Sequence, residues 1–189
     1  MRTLSTRPRF VRIATAVAGL ALVGAATTGG LAANAAAPAA APSGPVAAAK
    51  AQPDGLVQTS HLSIAAAQRA AEAVLDAAER AGQRVSVAVV DRNGNTLLIM
   101  RGDGAGPQSY VSAERKAFTA VSWNARTSEL VGRLQQTPTL KDIPGTLFLA
   151  GAVPVVAGNT PIAAVGVAGA PSGAQDEEFA QAGVDALNR

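Results

Sequence analysis

The chain has no cysteine, one histidine and few aromatic residues, which make up 3% of its 189 positions. Without cysteine there can be no disulfide bond and no thiolate metal site, so burial of apolar side chains has to stabilise the fold. Because aromatic residues are scarce, the core has to be built from valine, leucine, isoleucine and much alanine. Small side chains of this kind let helices and strands approach one another closely.

A basic cluster is also lacking outside the N-terminus. The formal net charge is +3, but four of the 16 basic residues and none of the 13 acidic residues lie within residues 1–35. The remainder therefore carries a net charge of −1, from 12 basic and 13 acidic residues. A nearly neutral domain without a basic run excludes binding of the nucleic-acid backbone as the main function.

The first 35 residues have the three parts of a secretory signal peptide. Arginines precede the uncharged stretch 13–26, and Ala33-Asn34-Ala35 offers a cleavage site. A retained membrane anchor is the alternative, but the apolar run is shorter than the roughly 18 residues that a spanning helix needs. We therefore expect a secreted, extracellular or surface-associated protein. Its export route stays open, because the arginines read Arg7-Pro8-Arg9 rather than an adjacent pair.

Composition then divides the remaining chain into a tether and a domain. Residues 36–60 are rich in alanine and proline and have little to bury, which predicts a flexible tether. Residues 61–189 are expected to form a single domain.

Local signals place the first elements of this domain. Ser63 can cap a helix over residues 64–81, where apolar residues recur at helical spacing and Gly82 can end the helix. The runs 85–91 and 95–101 flank Asn93-Gly94, which predicts an antiparallel hairpin. The next predicted helix is capped by Ser109, with Ala113, Ala117, Ala120 and Val121 on one face and Lys116 and Thr119 facing away. A short helix is predicted after Thr127, running to Gln135. Strands over 147–150, 152–157 and 162–169 follow, and then a closing helix capped by Ser172.

This order of elements favours hairpins over alternating strand and helix units. We predict an α/β domain of the α+β type, with a five-stranded, mainly antiparallel sheet flanked by helices. The two hairpin strands are apolar on both faces, so helices or a second subunit must cover each side of the sheet.

Three separated stretches of the chain resemble the HbpS/GlcG family. They are VSVAVVDRNGNTLLIMRGDGAGPQSYVSAERKAFTAVSWNA, PTLKDIPGTLFLAGAVPVV and PIAAVGVAGAPSGAQDEEFAQAG. The resemblance implies a haem-binding protein that assembles into a ring-like homo-oligomer, an octamer in HbpS-type members. In actinobacterial secreted members it also implies partnership with the extracellular part of a membrane sensor histidine kinase.

The resemblance also implies site residues. Haem contact is associated with a threonine in the Ile-Pro-Gly-Thr turn, Thr146 here, and with a histidine just before the first helix, His61 here. An iron-binding Glu-x-x-Glu pair on the helix after the hairpin corresponds to Val111 and Glu114. Since valine replaces one carboxylate, we expect weaker iron binding at Glu114 than in members with both acids.

Each of these residues also has a purely structural interpretation. His61 could be an uninvolved residue at the end of the tether, and Thr146 suits a turn that opens a strand. Glu114 could be a solvated helix acid beside Arg115 and Lys116.

The sequence therefore predicts a secreted, haem-binding oligomer that passes a haem or redox signal to a sensor kinase. Two alternatives remain: an enzyme that processes or degrades haem or a corrinoid, and a structural oligomer indifferent to such ligands. No catalytic residue is predicted, because there is no thiol and the single histidine lies at the domain edge.

Overall fold

The structure is a computed structural model that describes residues 49–188. The predicted signal peptide and most of the predicted tether lie outside these residues. The part of the tether from residue 51 to residue 60 is exposed throughout and contains a 3-10 helix, Pro53–Gly55. Within the described range, no helix is both long enough and apolar enough to span a membrane.

A single antiparallel sheet organises the domain, and its strands lie in the order β2-β1-β4-β3. The described residues form four strands and four α-helices: α1 (Ile64–Arg80), β1 (Ser86–Asp91), β2 (Thr96–Arg101), α2 (Ser109–Trp123), α3 (Thr127–Arg133), β3 (Ala152–Ala157), β4 (Thr160–Ala168) and α4 (Gly173–Asp185). The predicted α+β class and the mainly antiparallel sheet with flanking helices are confirmed.

Serine side chains cap the N-termini of α1 and α4, the first and last α-helices of the fold. The Ser63 hydroxyl accepts a hydrogen bond from the Ala66 amide at the start of α1, at 3.2 Å. Ser172 does the same for Gln175 at the start of α4, also at 3.2 Å. Gly82 follows α1 with a φ of +67°, a conformation that glycine adopts without strain. These three local predictions are confirmed.

Helices cover both faces of the sheet. On one face, α1 and α4 bury Val74 and Phe179 against the strand residues Val87 and Val89. On the other face, α2 packs its alanines against the sheet, including Ala117. Both faces of β1 are therefore buried, as the apolar residues on both of its faces predict.

The predicted strand over residues 147–150 is wrong, so the described part of the chain has four strands rather than five. The backbone around this segment bonds to side chains instead of to a neighbouring strand. The Leu147 amide donates to Thr119 Oγ1 at 2.8 Å, and the Ala152 amide donates to Thr127 Oγ1 at 2.8 Å. Hydrogen bonds to threonine hydroxyls on two helices replace the backbone hydrogen bonds of a regular sheet here.

The closest approach between a helix and the sheet occurs at Gly166 of β4. A Cβ atom at this position would lie 2.7 Å from the Ala117 amide nitrogen of α2, which is too close for real atoms. We expect Gly166→Ala to lower the free energy of unfolding by about 1–3 kcal/mol, because the backbones would have to separate. Urea unfolding measures the change.

Gly132 provides the matched control, since a Cβ there meets nothing within 4 Å. Gly132→Ala in α3 should raise the free energy of unfolding by about 0.5–1 kcal/mol through helix propensity. If both variants had the same stability, the packing argument at Gly166 would be refuted.

Candidate functional site

The β1–β2 turn is held by the carboxylate of Asp91, which is 6% exposed. Its Oδ1 accepts hydrogen bonds from the amides of Asn93 and Asn95, each at 2.8 Å, and its Oδ2 accepts one from Asn95 Nδ2 at 3.2 Å. Burial raises the pKa of Asp91, but these hydrogen bonds and the charge of His61 leave the pKa below its ordinary value. The carboxylate is thus a fixed, ionised anchor for the hairpin.

A second turn carries Thr146. Its amide donates to the Ile143 carbonyl at 3.3 Å, and its Oγ1 donates to the same carbonyl at 2.7 Å. The preceding Gly145 has a φ of +82°, which requires glycine for an unstrained turn. Thr146 is 9% exposed, so its hydroxyl proton is already used within the turn while its lone pairs remain.

Two consecutive residues of α2 hold this turn beside the hairpin. Thr119, fully buried, accepts from the Leu147 amide through its hydroxyl. The half-buried ring of Phe118 lies between two glycines: a Cβ at Gly94 would be 2.7 Å from its Cε2 atom, and a Cβ at Gly145 would be 3.7 Å from its Cε1 atom. Phe118 therefore links the hairpin turn to the turn of Thr146.

His61 lies just before α1 and is exposed. Its Nε2 is 2.8 Å from Thr59 Oγ1. Its charge is the smallest of the causes that lower the pKa of Asp91. His61 precedes α1, whereas the turn of Thr146 is held by α2, and these two helices cover opposite faces of the sheet.

Glu114 is not simply a solvated acid. Its Oε1 accepts a hydrogen bond from Thr96 Oγ1 on β2, at 2.5 Å. Val111, one turn earlier on α2, contributes no oxygen ligand. Among residues 49–188, no group of three or more histidine, aspartate or glutamate side chains is arranged to hold a metal ion.

A buried ion pair was missed by the sequence prediction, which placed Lys116 and Thr119 on the outer face of α2. Lys116 Nζ lies 2.7 Å from Asp176 Oδ2 and donates to the Val167 carbonyl at 3.0 Å, and both charged side chains are 5% exposed. Lys116 falls three residues after Ala113 and four before Ala120, so its spacing on the apolar stripe was the available signal.

Neighbouring Glu177 extends this polar cluster to α3. Its carboxylate accepts hydrogen bonds from the amide and hydroxyl of Ser128, at 3.0 and 2.6 Å, which satisfies the first turn of α3. Arg126 lies 3.5 Å from the same carboxylate.

For Asp176, burial raises the pKa more than the hydrogen bond and charge of Lys116 lower it.

Two cavities open on the domain surface. One, of about 540 Å³, lies near the start of β1 and is lined by Arg84, Arg101 and neighbours. The other, of about 480 Å³, lies beside the ion pair and is lined by Val131, Leu149 and neighbours. Neither of these two cavities is lined by His61 or Thr146.

The chain belongs to the family described as haem degrading protein HbpS-like, whose model matches residues 62–185. It is 32% identical over 136 residues to an uncharacterized 15.0 kDa protein of Citrobacter freundii, a match that covers 69% of this chain and 95% of the relative.

Solved structures agree with this assignment. The chain is 65% identical to HbpS of Streptomyces reticuli, solved as a double mutant with two glutamates changed to aspartate, with a TM-score of 0.73 over 74% of this chain and 95% of that one. It is also similar to a complex of PduOC with haem, at 25% identity and a TM-score of 0.63, over 68% of this chain and 96% of that one. The predicted family is confirmed.

The lowered pKa of Asp91 predicts a pH-dependent contribution to stability. A carboxylate with a lowered pKa stabilises the fold at pH values above its ordinary pKa of 3.8, and this contribution is lost as the pH falls through the lowered pKa. Asp91→Asn should therefore be less stable than the wild type near neutral pH, and the gap should close in acid. Thermal unfolding across the pH range measures this gap.

Asp54→Asn, in the exposed tether, serves as the control and should follow the wild type at every pH. The assignment of charge to Asp91 would be contradicted if the difference in thermal stability between Asp91→Asn and the wild type stayed constant down to strongly acidic pH.

Proposed function

We propose that the protein is exported, binds haem as a homo-oligomer and acts as an accessory protein to a membrane sensor kinase. The family match over residues 62–185 is the observation that carries the haem function. A haem-bound structure among its relatives supports it. Export rests on the signal peptide predicted for residues 1–35, and the kinase partnership rests on the resemblance to secreted HbpS proteins.

The side chains at the hairpin end are chemically suited to haem. His61 is the single histidine of the chain and is exposed, and its Nδ1 could serve as an axial nitrogen ligand to haem iron while Nε2 stays beside Thr59. Thr146 offers hydroxyl lone pairs, and its proton becomes available to a propionate if the hydroxyl rotates away from Ile143. Bound haem would supply the redox-active iron, while these residues position it.

Assembly is supported by the surface that a single subunit leaves uncovered. Both outer strands, β2 and β3, have one free edge each within the sheet. Leu149 and Val156 are large apolar residues that are 55% and 50% exposed. Such edges and apolar side chains are commonly covered in oligomers. The resemblance to HbpS implies an octamer.

Haem degradation is the second candidate function, favoured by the family description itself. The two candidate functions can be distinguished by following the haem absorbance of hemin-loaded protein over time in the presence of peroxide or a reductant. Binding alone preserves the haem absorbance, whereas degradation removes it and releases iron.

Titration with hemin tests the proposed binding. The wild type should shift the Soret band of hemin, His61→Ala should weaken binding by roughly tenfold, and Thr146→Ala should weaken it several-fold through loss of a polar contact. Thr146→Ser keeps the hydroxyl and is the matched control. If the wild type caused no Soret shift, the haem function would be disproved.

The half-present iron motif gives a separate prediction. Val111→Glu places a second carboxylate one helical turn from Glu114, and two carboxylates at this spacing can share an iron ion through oxygen ligands. Titration with ferrous iron should show tighter binding to Val111→Glu than to the wild type. Val111→Gln controls for polarity without charge, and equal affinity of Val111→Glu and the wild type would remove iron binding from this position.

A further inference from the structure

We propose that the ring of Phe118 is the surface on which the porphyrin stacks, which adds a contact to the flat macrocycle rather than to its iron. This inference rests on the proposed haem function. It starts from the position of Phe118 between the hairpin turn and the turn of Thr146.

Two glycines lie beside the Phe118 ring, so no side chain from either turn covers its edges. Gly94 and Gly145 face opposite edges of the ring, and a side chain at Gly94 would collide with it. The side chain packs against the buried cluster that includes Val90 and Val121, and it is half-buried. An aromatic ring that is fixed by packing yet bordered by glycines is suited to stacking against a flat aromatic ligand.

Other aromatic residues within the described part of the chain are placed differently. Phe148 and Phe179 are buried in the core, and Trp123 packs edge-on against Phe148 with ring centroids 5.2 Å apart. Tyr110 is 39% exposed but lies in the first turn of α2. Phe118 is eight residues further along this helix, a rise of about 12 Å. Phe118 is the aromatic residue whose ring lies beside both Gly94 and Gly145.

The experiment uses protoporphyrin IX without iron, which separates contact with the ring from ligation of the metal. The single tryptophan, Trp123, lies five residues after Phe118 on α2, so quenching of its fluorescence reports binding. We expect Phe118→Leu to weaken binding of protoporphyrin IX and of hemin alike, by roughly five- to tenfold. His61→Ala should weaken binding of hemin alone.

Two variants serve as controls. Phe118→Tyr keeps a flat ring and should bind like the wild type, whereas Tyr110→Leu removes a partly exposed aromatic residue from the same helix and should leave binding unchanged. If Phe118→Leu is folded and binds protoporphyrin IX as tightly as the wild type does, the inference is overturned. The haem function itself fails only if the wild type does not bind hemin.

A second measurement follows binding to the wild type and uses a variant for signal assignment alone. Phenylalanine labelled with ¹³C gives signals for the rings, and the Phe118 signal is the one absent from Phe118→Tyr. Metal-free porphyrin stacked on this ring should shift the Phe118 signal upfield, by more than the signals of the buried Phe148 and Phe179. Equal or absent shifts for all three would also overturn the inference.

Discussion

The close contact between α2 and β4 fixes the geometry of the candidate site. At Gly166 there is no room for a Cβ atom, so the backbone of α2 is held directly against the sheet. This contact, made at Ala117, sets the position of Phe118 and Thr119, which are the next two residues of the same helix. Because those two residues hold the hairpin turn and the turn of Thr146 together, a shift of α2 would move the whole hairpin end. Such close packing is possible because the core is rich in small residues such as alanine and poor in aromatic residues.

Polar side chains fix the other end of the segment that follows Thr146. The Ala152 amide donates a hydrogen bond to Thr127, and the Ser128 amide donates one to Glu177. These hydrogen bonds join α3 to the start of β3 and to α4. The adjacent Lys116–Asp176 pair is almost fully buried, and removing one partner would leave the other charge unpaired. The segment is therefore held at both ends, and Thr146 has a defined position without belonging to a strand.

Local signals predicted much of the fold, and distant interactions explain the errors. The cap of Ser63 and the hairpin at Asn93-Gly94 depend on residues a few positions apart, so the sequence reveals them. The predicted strand 147–150 failed because Leu147 bonds to Thr119, 28 residues away. The outward placement of Lys116 failed because its partner lies 60 residues away. Phe118 likewise gave no signal, since two turns distant in sequence meet around its ring.

The arrangement of the hairpin end separates the contacts that haem iron and the porphyrin ring would use. His61 precedes α1, whereas Thr146 and Phe118 are held by α2, and these two helices cover opposite faces of the sheet. A flat ligand lying on Phe118 can contact Thr146 without needing His61 from the same subunit. Under the proposed function, the imidazole of His61 and the pair of Phe118 and Thr146 would thus be independent parts of the haem site. Affinity for the macrocycle can then be set by α2 packing, while ligation of iron is set by the segment before α1.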